Sequence, residues 1–233
     1  MNSLTTMSDK FSTMQEKIIF IGTYNLNGKL PRESLDLWLT SNVDIHADLV
    51  MIGVQELIEL TPGQYISADT DKLRLVWESA IVSSLNRSSS QQFVLLRSTH
   101  LVALGMFAFA KTSEAAFIRG IEVCCVKTGL MGMAANKGGI GISLKYHDSS
   151  LAFITAHFAA GHDAIQDRNK DYWTISSGMV FRGRNLANHD LAFWFGDFNY
   201  RIEGGNQLVR GAIASGQLGL LYANDQVSNY LCR

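Results

Sequence analysis

The sequence predicts one α/β domain, built either on a single mixed sheet or on two packed sheets, with helices outside. Three observations carry this. Short runs rich in β-branched and aromatic residues recur along the chain, about eight of them. Several follow one another with no helix between them, which excludes a strict βαβ alternation. One segment, TDKLRLVWESAIVSSLN at 70–86, spaces its apolar residues as a helix does.

In chain order, residues 1–15 are a polar, flexible lead-in and 16–233 form the domain. KIIFIGTYN (17–25) reads as a buried strand. Pro31 and Glu33 open a short helix through LDLWL, and DLVMIGVQE (48–56) is the second strand. In the clear helix, Leu73, Val76, Trp77, Ala80 and Ile81 share a face, and Asp69 or Thr70 caps it. Residues 86–90 are a surface loop. QFVLLRST (92–99), LVALGMFAFAK (101–111), IEVCCVKT (121–128), GIGISLKY (139–146) and LAFITAH (151–157) are strands in quick succession. A helix covers roughly 163–180, with Ala164, Ile165, Tyr172, Ile175 and Met179 at apolar positions and Trp173 also read as core. DLAFWFGD (190–197) is the last strand, and NQLVRGAIASG (206–216) a short helix.

Composition narrows the function. The 233 residues are 47% hydrophobic with two prolines, enough for one substantial core and poor in linkers. Twenty basic residues balance 21 acidic ones, so a nucleic-acid coat is not expected. The longest apolar stretch, 101–110, is too short to span a bilayer. Cys124, Cys125 and Cys232 have no metal spacing, and the adjacent pair is badly placed for a disulfide. They read as small buried hydrophobes in a reducing compartment. The expectation is a soluble, cytoplasmic protein.

Polar residues collect at four strand ends: Asn25 and Asn27, Gln55 and Glu56, His157, then Asp197 with Asn199 and Arg201. In open α/β sheets ligands bind at that edge. A carboxylate with amide oxygens and waters suits Mg²⁺, which leans on substrate phosphate. Asp197 and Asn199 are two apart, so an extended backbone points both side chains the same way. Asp197 is placed to polarise a water and Asn199 to donate to a phosphoryl oxygen, with His157 at the scissile phosphate: metal-assisted phosphoester hydrolysis. Zinc and P-loop patterns are absent, and no arginine stands six positions beyond Cys124 or Cys125 as a cysteine phosphatase needs.

Together GTYNLNGK (22–29), GVQE (53–56), NKGGIGISL (136–144), TAHFAAG (155–161), DRNKDY (167–172) and WFGDFNYRI (194–202) closely resemble the catalytic domain of the inositol polyphosphate 5-phosphatases, most of all the fungal synaptojanin-like branch. The likeness covers roughly residues 16–227. It implies the DNase I-like four-layer sandwich: two packed mixed β-sheets flanked by helices. It implies Mg²⁺-dependent removal of the 5-phosphate from phosphoinositides such as phosphatidylinositol 4,5-bisphosphate, by a protein peripheral at membranes. By carry-over, Glu56 binds the metal with Asn27, and Asn25 supports that network. His157 touches the scissile phosphate, Asp197 positions water and Asn199 stabilises phosphoryl oxygens. Asn136, Lys137, Arg168, Asn169 and Arg201 are expected to hold head-group phosphates. The glycines beside Lys137 are expected to let backbone approach a ligand.

The resemblance also implies two later motifs, Pro-x-Trp-Cys/Thr-Asp-Arg-Ile-Leu and Ser-Asp-His, that do not follow Arg201 here. The expectation is therefore an incomplete second sheet with exposed strand edges, and little or no activity and poor solubility for the 233-residue chain alone. A binding module without catalysis is the alternative.

Overall fold

A computed structural model of the protein describes residues 13–39, 47–59, 69–88, 91–128 and 137–231. Asn136 and Cys232 lie outside the described residues. Ten strands occur among them: β1 (Ile19–Asn25), β2 (Leu49–Gln55), β3 (Phe93–Leu101), β4 (Leu104–Lys111), β5 (Ile118–Lys127), β6 (Gly138–Tyr146), β7 (Ser149–His157), β8 (Val180–Phe181), β9 (Arg184–Asn185) and β10 (Leu191–Asp197). Six helices accompany them: α1 (Asp36–Leu39), α2 (Thr70–Ser88), α3 (Ile165–Gly178), α4 (Asn206–Ala214), α5 (Leu218–Ala223) and α6 (Gln226–Leu231).

The strands form two mixed four-stranded sheets, ordered β1-β2-β4-β3 and β10-β7-β6-β5, plus the β8-β9 ribbon. Apolar residues on both inner faces, among them Met51, Met106, Ala108, Ile142, Phe153 and Phe195, make the central core. The outer face of the first sheet packs on α1 and α2 through Ile52, Phe107, Trp77 and Ile81. The outer face of the second packs on α3 through Ile154, Ile175 and Met179. The order is helix, sheet, sheet, helix, so of the two architectures open on sequence grounds the packed pair of sheets is the one formed.

Local chemistry explains the boundaries. Asp69 caps α2, its Oδ1 accepting from Lys72 N at 3.0 Å. Val102 and Ala103 turn between β3 and β4, where the sequence suggested continuous strand. Gly139 lies against α3: an added Cβ would stand 2.7 Å from Ile175 Cγ2. One at Gly138 would meet Val126 O at 2.3 Å. These glycines let neighbouring elements close up, and the ligand approach expected of them is not what their surroundings show.

Other expectations are corrected by burial. β1 and β10 are sheet edges, half-exposed along most of their length, because among the described residues each pairs on one side only. Trp173 is exposed, and its neighbour Tyr172 is half-buried against Trp194. Cys125 is exposed and Cys124 half-buried, since β5 is also an edge among the described residues. The short first helix begins at Asp36, and Asp36–Leu39 is its described span. The β8-β9 ribbon, α5 and α6 were not foreseen: their segments are too short for periodicity to show.

Candidate active site

Strand direction gathers the site. β1 runs parallel to β2, and β10 parallel to β7, so all four polar C-terminal ends meet at one end of the sandwich. β1 and β10 face each other across the two sheets, as do β2 and β7. Register does the rest. Asn25 stands beside Gln55, and Asp197 beside His157. Gly138 is on the other side of His157, which brings Lys137 to that imidazole.

Asn25 is one link between the sheets. Its Nδ2 donates to Glu56 Oε1 at 2.9 Å and to Asp197 Oδ2 at 3.1 Å. Its Oδ1 accepts from Asn27 N at 3.1 Å. One amide thus bridges two carboxylates that would otherwise repel. Beneath them Gln55, almost fully buried, accepts from Thr23 Oγ1 (3.2 Å) and donates to Thr155 Oγ1 (3.3 Å), tying β1, β2 and β7.

Asp197 is fixed at both oxygens: Oδ2 by Asn25, Oδ1 by Asn199 N at 3.1 Å. Gly196 has φ +131, and a Cβ there would lie 2.1 Å from Ala156 O, so this strand end closes only with glycine. Asn27, Glu56 and Asn199 all have positive φ, near 50°. Left-handed backbone is uncommon outside glycine and collects at functional sites. Three such residues on three strand ends are a signal of that kind.

His157 is buried. Its Nε2 lies 2.5 Å from Lys137 Nζ and 3.5 Å from Asp197 Oδ2, and its Nδ1 has no partner among the described residues. Burial, then the Lys137 ammonium, push its pKa down to about 4, against the pull of Asp197. A neutral ring accepting the lysine proton at Nε2 carries its own proton on Nδ1. Burial likewise lowers Lys137 to about 8, opposed by Asp197, Glu56 and Asp171.

Arg201 Nη2 donates to Asn199 Oδ1 at 2.9 Å, and Asn199 Nδ2 donates to Phe158 O at 3.1 Å. Arg168 and Asn169 are corrected. Both are buried in α3, turned into the protein. Arg168 donates to the carbonyls of Ala159 (3.2 Å), Gly161 (2.6 Å) and His162 (3.2 Å), and to Gln226 Oε1 (2.6 Å). Asn169 Oδ1 accepts from Tyr200 Oη at 2.6 Å. Asp171 Oδ2 takes Ala159 N at 2.8 Å, its pKa raised by burial. The DRNKDY segment therefore clamps the two loops that follow His157 and Asp197. Gln226 was missed because an isolated glutamine announces no chemistry.

The cleft lined by Asp197, Asn199, Tyr200, Arg201, Asp225 and Val227 holds about 480 Å³. A larger groove of about 760 Å³ lies beside Tyr24, Lys29, Arg32, Trp38 and Trp77. It contains none of the bridged carboxylates, so the chemistry belongs to the smaller cleft. Among the described residues no three His, Cys, Asp or Glu side chains gather to cage an ion. The donors at hand are oxygens only, a carboxylate and exposed amides on an open edge. That set fits a hard cation which keeps its waters, as Mg²⁺ does, and does not fit zinc.

Comparison with known proteins places this geometry. The chain is 41% identical, over 99% of its length, to an inositol-1,4,5-trisphosphate 5-phosphatase of Schizosaccharomyces pombe. It is 34% identical, over 98%, to a phosphatidylinositol 4,5-bisphosphate 5-phosphatase of Saccharomyces cerevisiae. It spans 22% and 25% of those proteins. The crystal structure of the inositol polyphosphate 5-phosphatase domain of SPsynaptojanin, in complex with inositol (1,4)-bisphosphate and calcium, superposes with a TM-score of 0.88 at 38% identity. That match covers 98% of this chain and 66% of that one. Residues 22–230 match the family described as Endonuclease/Exonuclease/phosphatase family 2, and the chain belongs to that family.

Proposed function

We propose that this site hydrolyses a phosphomonoester of an inositol head group, the 5-phosphate of phosphoinositides such as phosphatidylinositol 4,5-bisphosphate, at a membrane surface. The observation that carries it is the Asn25 amide bridging Glu56 and Asp197 beside His157, four strand ends meeting at one end of the sandwich. The relatives' names supply the substrate class. Asp197 holds and deprotonates the attacking water, its carboxylate kept in one orientation by Asn25 and Asn199 N. Lys137 and Arg201 set positive charge around the transferred group, and Asn199 orients Arg201. Glu56 and Asn27 are the residues that would hold Mg²⁺. When bound, the cation supplies Lewis-acid stabilisation of charge on phosphoryl oxygen. No helix among the described residues is long and apolar enough to cross a membrane.

Turnover is expected to be slow. His157 is neutral above about pH 4 and already accepts from Lys137, so it is a poor proton donor to the leaving alkoxide. The test is phosphate release from phosphatidylinositol 4,5-bisphosphate in vesicles and from soluble inositol 1,4,5-trisphosphate, with Mg²⁺ and with chelator. Release that the chelator stops, and that Asp197→Ala lowers at least about 100-fold, is expected. Equal release from parent and variant would sink the proposal. Nicking of plasmid DNA in place of phosphate release would make the site a nuclease.

A further inference from the structure

Gln226 is 3% exposed, and both ends of its amide are engaged by separate parts of the chain. Oε1 accepts from Arg168 Nη2 at 2.6 Å and from Arg201 N at 3.0 Å. Nε2 donates to His162 O at 3.1 Å and to the Glu203 carboxylate. The residue is also held from behind. Its own N donates to Arg201 O at 3.0 Å, and Asp225 bridges Ile202. Asp225 Oδ2 caps α6 by accepting from Ser228 N (2.8 Å) and Ser228 Oγ (2.9 Å), which fixes where Gln226 starts the helix.

Two loops meet at this amide. Residues 158–162 follow His157, and residues 198–203 follow Asp197 and carry Asn199 and Arg201. We infer that Gln226 is a positioning residue of the site: its amide sets the separation of the His157 loop from the loop bearing Asn199 and Arg201. This rests on the phosphatase reading above. An amide is the group required, because one face must accept from a guanidinium and a backbone N–H while the other donates to a carbonyl and a carboxylate. A leucine keeps neither face. A glutamate keeps the acceptor face, loses the donor face and sets a second negative charge against Glu203.

That asymmetry makes a pH signature. The charged or titratable groups around the amide are Arg168 from α3, Arg201 and Glu203 from the loop after β10, His162 from the loop after β7, and Asp225 before α6. In Gln226→Glu, protonation at acid pH restores an O–H donor where Nε2–H stood. Phosphate release by parent, Gln226→Glu and Gln226→Leu is measured from pH 5 to 8 on soluble inositol trisphosphate with Mg²⁺, beside thermal melts. Gln226→Glu should lose about 10–100-fold in kcat at pH 7.5 with KM changed less than about 3-fold, since misplacement acts on the transition state. Its ratio to parent should rise as pH falls, and Gln226→Leu should stay low throughout. Hydrogen exchange is read on the same proteins: faster exchange confined to 158–162 and 198–203 is expected. A Gln226→Leu kcat within about 2-fold of parent, or a Gln226→Glu ratio flat with pH, overturns the inference. If the parent releases no phosphate, the phosphatase reading fails and exchange alone decides. Unchanged exchange, or a rise that includes β2 and β4, then overturns the role of Gln226. If Gln226→Leu does not fold, Gln226→Glu decides.

Discussion

Lys137 Nζ and the buried His157 Nε2 stand 2.5 Å apart, and the cost of keeping a cation there is measurable. Burial draws Lys137 from 10.5 in the unfolded chain to about 8. Between those values the unfolded chain binds a proton that the folded one does not, so stability rises with pH across that window. Below about pH 8 the penalty is fully present. Lys137→Met should therefore be more stable than parent at pH 7, by about 1–2 kcal/mol in urea melts, while losing phosphate release. The advantage should shrink as pH rises from about 8 to 10.5. His157, lowered from 6.5 to about 4, works in the next window down: stability is lost as pH falls from 6.5 towards 4. His157→Gln should flatten that acid slope. At this scale the sequence was a good guide to which residues meet and a poor one to what each touches. Asn25, Glu56, His157 and Asp197 were legible because each ends an apolar strand. That Lys137 donates to an imidazole, and that Arg168 and Asn169 hold loops, depends on strand register and on residues up to 58 positions away.

Arg168 shows how much of an element's stability hangs on one side chain. Arg168→Met would take a donor from three loop carbonyls and from the Gln226 amide, at a side chain that is fully buried. A loss of about 3–5 kcal/mol is expected in denaturant melts, with a fall in activity from the loosened loops. Gly53 limits packing between sheets in the same way: a Cβ would come 2.2 Å from Thr155 Oγ1 and 2.8 Å from Phe195 Cε2. Gly53→Ala should cost about 1–3 kcal/mol by forcing β2 and β7 apart beneath the site. Strand existence was legible in the sequence, because β-branched and aromatic runs report burial. Strand position was not. β1 and β10 carry the same kind of run as β2 and β7, and only their places at the sheet edges leave them half-exposed. Nor could α5 and α6 be read, at six residues each.

For the molecule as a whole, apolar surface remains outside. Leu208, Ile213, Leu218 and Tyr222 on α4 and α5 are more than half exposed, and β10 pairs on one side only among the described residues. Such surfaces and edges favour association. Light scattering behind a sizing column should show mass rising with protein concentration, and Leu218→Ser with Tyr222→Ser should reduce the rise. Mass independent of concentration would show that these surfaces do not self-associate. The seam between the sheets has a different consequence. The first sheet is drawn entirely from 19–111 and the second entirely from 118–197. Asn25 and Glu56 come from one half, His157 and Asp197 from the other. Cut in the turn at 112–117, the chain would become two polypeptides, each with a sheet and neither with a site. Phosphate release would then report reassembly of the halves, which is the logic of a split enzyme.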